Sequence, residues 1–308
     1  MKKIVLIIVL AAAPFLLGAQ TLPFLYMPTD ARSAALGGAG VAMDADAWAM
    51  DNNLSAAALS SRHFAIGAGY QHLWPKLTGT NSFSLDGWYR RNRWTVGLSA
   101  KTMLIDYDAF LHTSAPQGSF TYHDLSVALG AAWCPVTGFA ISATARMVNS
   151  APAPTLHGMA VCADLAMTYA IKGFQVGLSV NNLGTRLQYR KNGSYTQDAY
   201  YYANYALPAL VRAGLSYSHP IFTLTAEADY LFEGCFMACA GVEVRPVSVL
   251  SLRAGYHYGP DNGKGMPSFG SCGIHLGFAG LGIDVSYWFG GENTTLRGTI
   301  CTGLSYSF

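Results

Sequence analysis

From His63 to Phe308 apolar residues alternate with small or polar ones at a period of two, the pattern of β-strands whose two faces meet different surroundings. Phe64, Ile66, Ala68 and Tyr70 share one face, with Ala65, Gly67, Gly69 and Gln71 on the other. Leu125, Val127, Leu129 and Trp133 likewise oppose Ser126, Ala128, Gly130 and Ala132, and the last segment sets Leu296, Ile300, Leu304, Tyr306 and Phe308 against Arg297, Thr299, Gly303, Ser305 and Ser307. The pattern predicts strands over 64–72, 81–90, 93–105, 120–133, 139–149, 159–170, 173–182, 208–218, 221–231, 235–245, 248–258, 269–278, 281–289 and 295–308. Counting from the first strand, every second linker is only two to five residues long, and the others are mostly longer, up to the 25 residues of 183–207. Tight turns on one side and long loops on the other are the signature of an outer-membrane barrel, as is an even strand number.

The second face narrows the class further. In a soluble sandwich one face is apolar and the other charged. Here it is glycine, serine, alanine and sparse charges, which suits a barrel lumen. The chain is 51% hydrophobic and 12% charged, about half the charge of an ordinary soluble domain. Lys2 and Lys3, the apolar run 4–17 and the small-residue end at Ala19 read as a signal peptide, residues 1–19. That run is short for a spanning helix, and no later stretch approaches the roughly 20 apolar residues one needs. An exported apolar chain without spanning helices is expected to close as a β-barrel in the cell outer membrane, with membrane lipid as its partner. A net charge of +2 gives no reason to expect nucleic acid.

Strand parity turns Arg146, Asp164, Arg212, Glu227, Asp229, Glu243, Arg253, Asp284 and Arg297 inward, where they avoid the roughly 2–4 kcal/mol each would cost facing lipid near the midplane. Pairing Tyr217 with Phe222 predicts Arg212 directly opposite Glu227; pairing Phe278 with Leu281 predicts His275 opposite Asp284. Such pairs either stitch a filled lumen together or line a ligand or proton path. Lumen positions read as small or charged rather than apolar.

Catalytic chemistry finds no constellation. Neither GxSxG nor HExxH occurs. Cys235 and His257 face inward near the outer rim but lack a third ligand, and His112 and His123 fall in or near an outer loop, so no metal or other cofactor is expected. The six cysteines, at 134, 162, 235, 239, 272 and 301, mostly fall inside predicted strands as small space-fillers. The chain is read as noncatalytic. Its richest exposed feature is the loop 183–207, where Arg186, Arg190, Lys191, Tyr200, Tyr201, Tyr202 and Tyr205 offer an interface or part of an aromatic girdle.

The opening stretch, FLYMPTDARSAALGGAGVAMDADAWAM, resembles the N-terminal signature of the PorV/PorQ family of Bacteroidetes outer-membrane proteins, relatives of the FadL fatty-acid channels. VNNLGTRLQY, LPALVRAGLSY and SVLSLRAGYHYG resemble further strands of that family in the same order. The chain departs from the family where Leu54 follows Asn53 in place of an Asn-Pro-Ala motif, and its outer loops are modest. The resemblance implies an all-β, 14-stranded antiparallel FadL-like barrel whose N-terminal segment folds into the lumen as a hatch. It also implies a part in type IX protein secretion or surface attachment, with the translocon or the signal domains of secreted cargo as partners. The FadL relatives imply the alternative, a channel for hydrophobic small molecules. The terminal LSYSF, ending in Phe308, looks like the signal that barrel-assembly machinery recognises.

Residues 20–62 carry too little apolar mass to fold alone and need the barrel, residues 63–308, as host. Within this hatch Asp30 and Arg32 are expected to meet lumen charges such as Glu243 or Arg253. Gly37, Gly38 and Gly40 permit a tight turn in a confined space. Asp44 or Asp46 is expected to cap a helix carrying Trp48 and Met50.

Overall fold

The computed structural model describes residues 22–73, 80–108, 119–153, 156–191, 205–260, 264–290 and 296–308. The signal peptide, His112 and Tyr200, Tyr201 and Tyr202 lie outside these residues. Among the described residues no helix is long and apolar enough to cross a membrane. The chain instead builds strands: β1 (Phe64–Leu73), β2 (Thr80–Arg91), β3 (Trp94–Asp108), β4 (Ser119–Val136), β5 (Phe139–Ala153), β6 (Leu156–Ile171), β7 (Phe174–Gly184), β8 (Gln188–Lys191), β9 (Leu210–Ser218), β10 (Phe222–Leu231), β11 (Cys235–Val247), β12 (Leu250–Tyr258), β13 (Phe269–Phe278), β14 (Leu281–Gly290) and β15 (Ile300–Ser307).

Each strand pairs antiparallel with its neighbours, and β1 pairs with β15 from Ala65–Ser307 to His72–Ile300, which closes the circuit. Fourteen strands make this closed antiparallel barrel; β8 is a short addition that runs along the far end of β6. One end of the barrel carries the tight turns and the two ends of the barrel chain, and the other carries the longer connections. We refer to them as the short-turn end and the loop end.

Alternation sorts the side chains as the sequence predicts. Leu98, Leu129 and Ile283 stand on the outer wall more than half exposed, while Ala128, Arg146 and Asp284 lie buried inside. Tilted, stacked or edge-on aromatic pairs line the outer wall near both ends: Trp94–Trp133 and Phe64–Phe308 at the short turns, Tyr70–Phe83 and Tyr287–Phe289 toward the loops. This is the band-and-girdle profile that a barrel shows to hydrocarbon and headgroups. Leu129→Arg is therefore expected to cost about 2–4 kcal/mol of stability in a bilayer. Refolding into lipid vesicles against denaturant checks this; no measurable loss would mean that this wall does not meet lipid.

Register departs from expectation at one hairpin. His219 N–H donates to Phe222 O at 2.7 Å, so the turn closes around Pro220 and Ile221, and Ser218 pairs with Thr223. The shift is two residues, so faces are kept, but Arg212 stands opposite Asp229 and Glu227 opposite Gly214. A proline suited to the first corner position made the smaller turn the better one. The sequence between β7 and β9, read as one long loop, contains β8, because Leu187 and Tyr189 continue an inward alternation after the turn at Gly184. The last strand begins at Ile300 rather than 295, which leaves Arg297 exposed on a turn and sends Leu296 into the interior.

Candidate functional site: a hatch in a two-layered lumen

The lumen is filled by residues 22–62, which make three short helices, α1 (Ala31–Ala35), α2 (Ala49–Asn52) and α3 (Leu54–Leu59), after a single 3-10 turn at Pro23–Leu25. Too short to be stable alone, these pieces are held by the wall. Asp30 caps α1, its Oδ1 accepting from Ser33 N–H at 2.7 Å while its Oδ2 accepts from Asn52 Nδ2 at 3.0 Å. Trp288 Nε1 donates to Ala34 O at 3.1 Å, and Ser271 Oγ donates to Ala35 O and accepts from Gly37 N–H. Gly37 and Gly38, at φ 74° and 100°, reverse the chain beneath β12.

The backbone N–H groups of Gly40 and Val41 then donate to one oxygen of Glu227 at 2.7 and 2.8 Å. Trp88 Nε1 donates to Asp46 O at 2.6 Å, turning the chain toward β2. Asn53 caps α3 by accepting from Ser55 N–H, and its Nδ2 donates to Val41 O at 2.7 Å, tying the middle of the hatch to its last helix.

Glycines of the wall lie under this path. A Cβ at Gly177 would fall 2.0 Å from Val41 O, and one at Gly255 would fall 2.2 Å from Leu36 C. Gly177 pairs with Gly214, Gly241 with Gly255, and Gly97 with Gly130, each beneath a hatch residue. The glycines of the inner face are the footprint of the hatch.

Charge forms the middle layer. Asp51 of α2 receives Lys101 Nζ and Arg146 Nη2, both at 3.0 Å, and Arg146 reaches on to Asp164 at 3.3 Å. Arg32 reaches Glu243 at 3.2 Å; Arg253 joins Glu243 at 2.7 Å to Asp284, which also accepts His275 Nδ1 at 3.0 Å. Arg212 Nε donates to Glu227 at 2.7 Å diagonally across the ladder. Burial opposes ionisation of Asp51, but Lys101 and Arg146 outweigh it and hold its carboxyl well below the usual carboxylate range.

A carboxyl depressed in the folded state stabilises above its unfolded value of about 4 and loses that contribution as pH falls. Conductance of the protein in a planar bilayer is expected to rise below about pH 4 as the hatch loosens. Asp51→Asn should raise conductance already at neutral pH and flatten that acid limb; an unchanged pH profile in the variant would show that Asp51 does not anchor the hatch.

Toward the loop end the lumen turns apolar. Phe24, Leu25 and Met27 of the hatch pack among Leu73, Met103, Leu210, Leu231, Met237, Phe269 and Trp288 of the wall, all buried. Phe269 stacks on Trp288 at 4.3 Å and on His257 at 5.0 Å. This corrects the expectation of small or charged lining: parity names the inward positions, but large side chains fill them where the hatch narrows to a single strand of chain. Lys101 Nζ, 5.9 Å from the Phe24 ring centre, marks the junction of the layers. A cavity of about 30 Å³ at that junction touches Leu25, Asp51, Asn182, Leu210 and Met237, room for about one water. Below the hatch a wide vestibule of about 810 Å³, lined by Arg32, Asp46, Arg62, Arg245 and His275, opens at the short-turn end.

Beside the junction the wall changes course. The β7–β9 ladder runs from Phe174–Tyr217 to Asn181–Leu210 and stops. Asn182 takes φ 59°, its N–H donates to Asp164 Oδ1 at 2.6 Å, and the chain swings along β6, where Leu183 pairs with Ala163 and Gly184 with Cys162. The next bridge toward β9 is Leu187–Tyr205. The interruption sits beside Leu210 and Met237 of the apolar layer.

Of the residues singled out in the sequence, Arg32 meets Glu243 as expected, whereas Asp30 faces Ser33 and Asn52 rather than Arg253. Trp48 is buried at the start of α2, its ring against Gly67 and Gly303; Asp46 accepts from Trp48 N–H one position before that helix, and neither Asp44 nor Asp46 caps it. His275 stands opposite Asp284. Arg186 is exposed before β8, Arg190 pairs with His157 within it, and Tyr205 packs inward with its ring 5.8 Å from that of Tyr189. Phe308 O accepts from His63 and Phe64 N–H at the closing seam. The six cysteines are free thiols, Cys235 donating to Lys264 O and His257 Nδ1 lying 3.0 Å from Gly37 O. Lys101 and Asp51 were missed; the inward parity of Lys101, a cation needing a partner, was the available signal.

No protein-family model matches the chain, and no curated protein matches it in sequence. Solved structures do match in fold. The Pseudomonas putida toluene transporter TodX superposes with a TM-score of 0.67 at 14% identity, covering 89% of this chain and 96% of that one. The Ralstonia pickettii toluene transporter TbuX gives 0.64 at 13%, covering 92% and 98%. A Pseudomonas aeruginosa FadL homologue gives 0.54 at 13%, covering 92% and 96%. At these identities the likeness establishes the FadL-like barrel fold.

Proposed function

We propose that the protein is an outer-membrane channel for hydrophobic small molecules, with its loop end facing outward and its short-turn end facing the periplasm. The carrying observation is the apolar layer at the loop end, sealed from the vestibule by an ionic layer that the hatch itself completes. An apolar solute gains about 25 cal/mol per Å² of surface on entering such a layer, and gains nothing among the buried ion pairs below. The layered lumen thus favours capture from the loop end and disfavours straight passage downward. The interrupted β7–β9 ladder beside Leu210 offers a sideways route into the bilayer core, which an apolar solute prefers. The fold neighbours, two of them toluene transporters, support this reading.

The PorV/PorQ resemblance of the opening stretch supports a second role, assistance to type IX secretion or surface attachment, carried by the outer loops. One experiment separates the two. Liposomes whose outer leaflet is lipopolysaccharide, a barrier to apolar solutes, are expected to take up toluene in a saturable manner when they hold the purified protein, faster than protein-free liposomes of the same lipids, and to exclude a polar solute of equal size. Uptake no faster than in protein-free liposomes, from a protein folded by heat-modifiability on gels, would overturn the channel. Recovery of translocon components or cargo signal domains from native membranes would then decide for secretion.

A further inference from the structure

The short-turn corner between β1 and β4 carries a concentration of positive charge that joins none of the ion pairs of the hatch and lumen. Residues 60–64, 88–95 and 131–140, which meet there, contain four arginines, Arg62, Arg90, Arg91 and Arg93, and no Asp or Glu. The described side-chain hydrogen bonds of Arg90 and Arg93 go to backbone carbonyls. Arg90 Nε donates to Arg62 O at 3.3 Å and Arg93 Nη1 to Pro135 O at 3.0 Å. Among the described residues no carboxylate lies within ion-pair distance of any of the four.

Register says which way Arg91 faces. Arg91 pairs with Trp94, and Trp94 with Trp133, so the three stand side by side on the outer wall across β2, β3 and β4. The two indoles are exposed and stack at 5.8 Å. An arginine on the lipid face costs about 2–4 kcal/mol at the midplane and almost nothing at the interface, and tryptophans gather at headgroup level. Arg91 and the indole pair therefore stand at the headgroup boundary, with Arg93 in the adjoining turn. Guanidiniums without carboxylates at that depth match a phosphate through their planar fork of donors, and the indole pair beside Arg91 gives the adjoining acyl chain an apolar surface.

We propose that Arg91 and Arg93, with Trp94 and Trp133, form a binding site for an anionic phospholipid of the leaflet at the short-turn end. The site takes the phosphodiester headgroup on the guanidiniums and the upper acyl chain on the indoles. It does not depend on what passes through the lumen.

The test uses the full-length protein in vesicles of phosphatidylethanolamine containing a minor fraction of phosphatidylglycerol, with either lipid brominated so that it quenches nearby tryptophan. Each basic side chain at a membrane surface contributes about 1 kcal/mol toward anionic lipid, a factor of about five. Brominated phosphatidylglycerol is expected to occupy the site about fivefold or more in preference to brominated phosphatidylethanolamine, and Arg91→Gln with Arg93→Gln should bring that preference close to one. Equal quenching by the two lipids in the unaltered protein would overturn the proposal without any variant, as would an undiminished preference in a folded double variant. Inorganic phosphate added to the outside and inside of the vesicles is expected to leave the preference unchanged; its loss would assign the site to free anions instead of lipid.

Discussion

Deleting residues 30–50 should convert a closed barrel into an open pore. In a planar bilayer the deletion is expected to raise single-molecule conductance at least about tenfold over the intact protein, because a fourteen-stranded wall stripped of the middle of its hatch encloses a water-filled passage. The intact protein leaves room for about one water at the junction of its two layers. The deleted stretch supplies Arg32 and the Gly40–Val41 amides that satisfy Glu243 and Glu227. Those carboxylates will take water instead and hydrate the lumen. The wall itself keeps its ladders and its outer apolar band, so heat-modifiability on gels should persist. A folded deletion variant with closed-level conductance would mean that the outer connections, not the hatch, occlude the passage.

Gly177→Val is the smallest change expected to produce a comparable opening. A Cβ there would sit 2.0 Å from Val41 O, about half the separation that ordinary contact allows, and the obstacle is backbone rather than a movable side-chain end. Val41 cannot yield locally, since its N–H is held by Glu227 and its carbonyl by Asn53. The added methyls must lift the middle of the hatch from the wall, at the one to three kcal/mol that overpacking costs, roughly, together with the two Glu227 bonds. Protease cleavage within residues 36–46 and a flickering conductance are the expected readouts. Gly270→Val, where the nearest atom is 4.0 Å away, serves as the control and should do neither. Equal behaviour of the two variants would show that the hatch does not press on the wall at Gly177.

How much of this was readable from the chain depends on the kind of information each residue carries. Period-two alternation is a backbone property, so strand positions and faces could be read from Phe64 to Phe278 without reference to contacts. Register could be read where turn chemistry leaves one solution, as at Ala279–Gly280, and failed at Pro220, where two turn lengths compete and the winner is set by hydrogen bonding. The course of the hatch was not readable. Its helices are four to six residues long, below the length at which propensity or periodicity speaks, and its partners are scattered over the whole chain. Gly177, Gly214, Gly241 and Gly255 looked like small lumen residues; that they pair across neighbouring strands beneath hatch residues shows only in three dimensions. The apolar layer was hidden for a similar reason: Met103, Met237 and Trp288 sit near strand ends, where their size could equally have served a girdle.

The hatch also bears on how such a barrel comes into being. Leu22 to Met27 lie among the loop-end ends of the strands, Arg62 lies at the opposite mouth, and the seam that closes the wall joins β1, next in the chain after the hatch, to β15. A segment that touches strands on every side of the lumen, with glycine-wide clearance at Gly177 and Gly255, has little room to thread itself in afterwards. The expected order of assembly is wrapping around a mandrel: the hatch lies in the growing curve of the sheet first, and β15 zips against β1 only once it is enclosed.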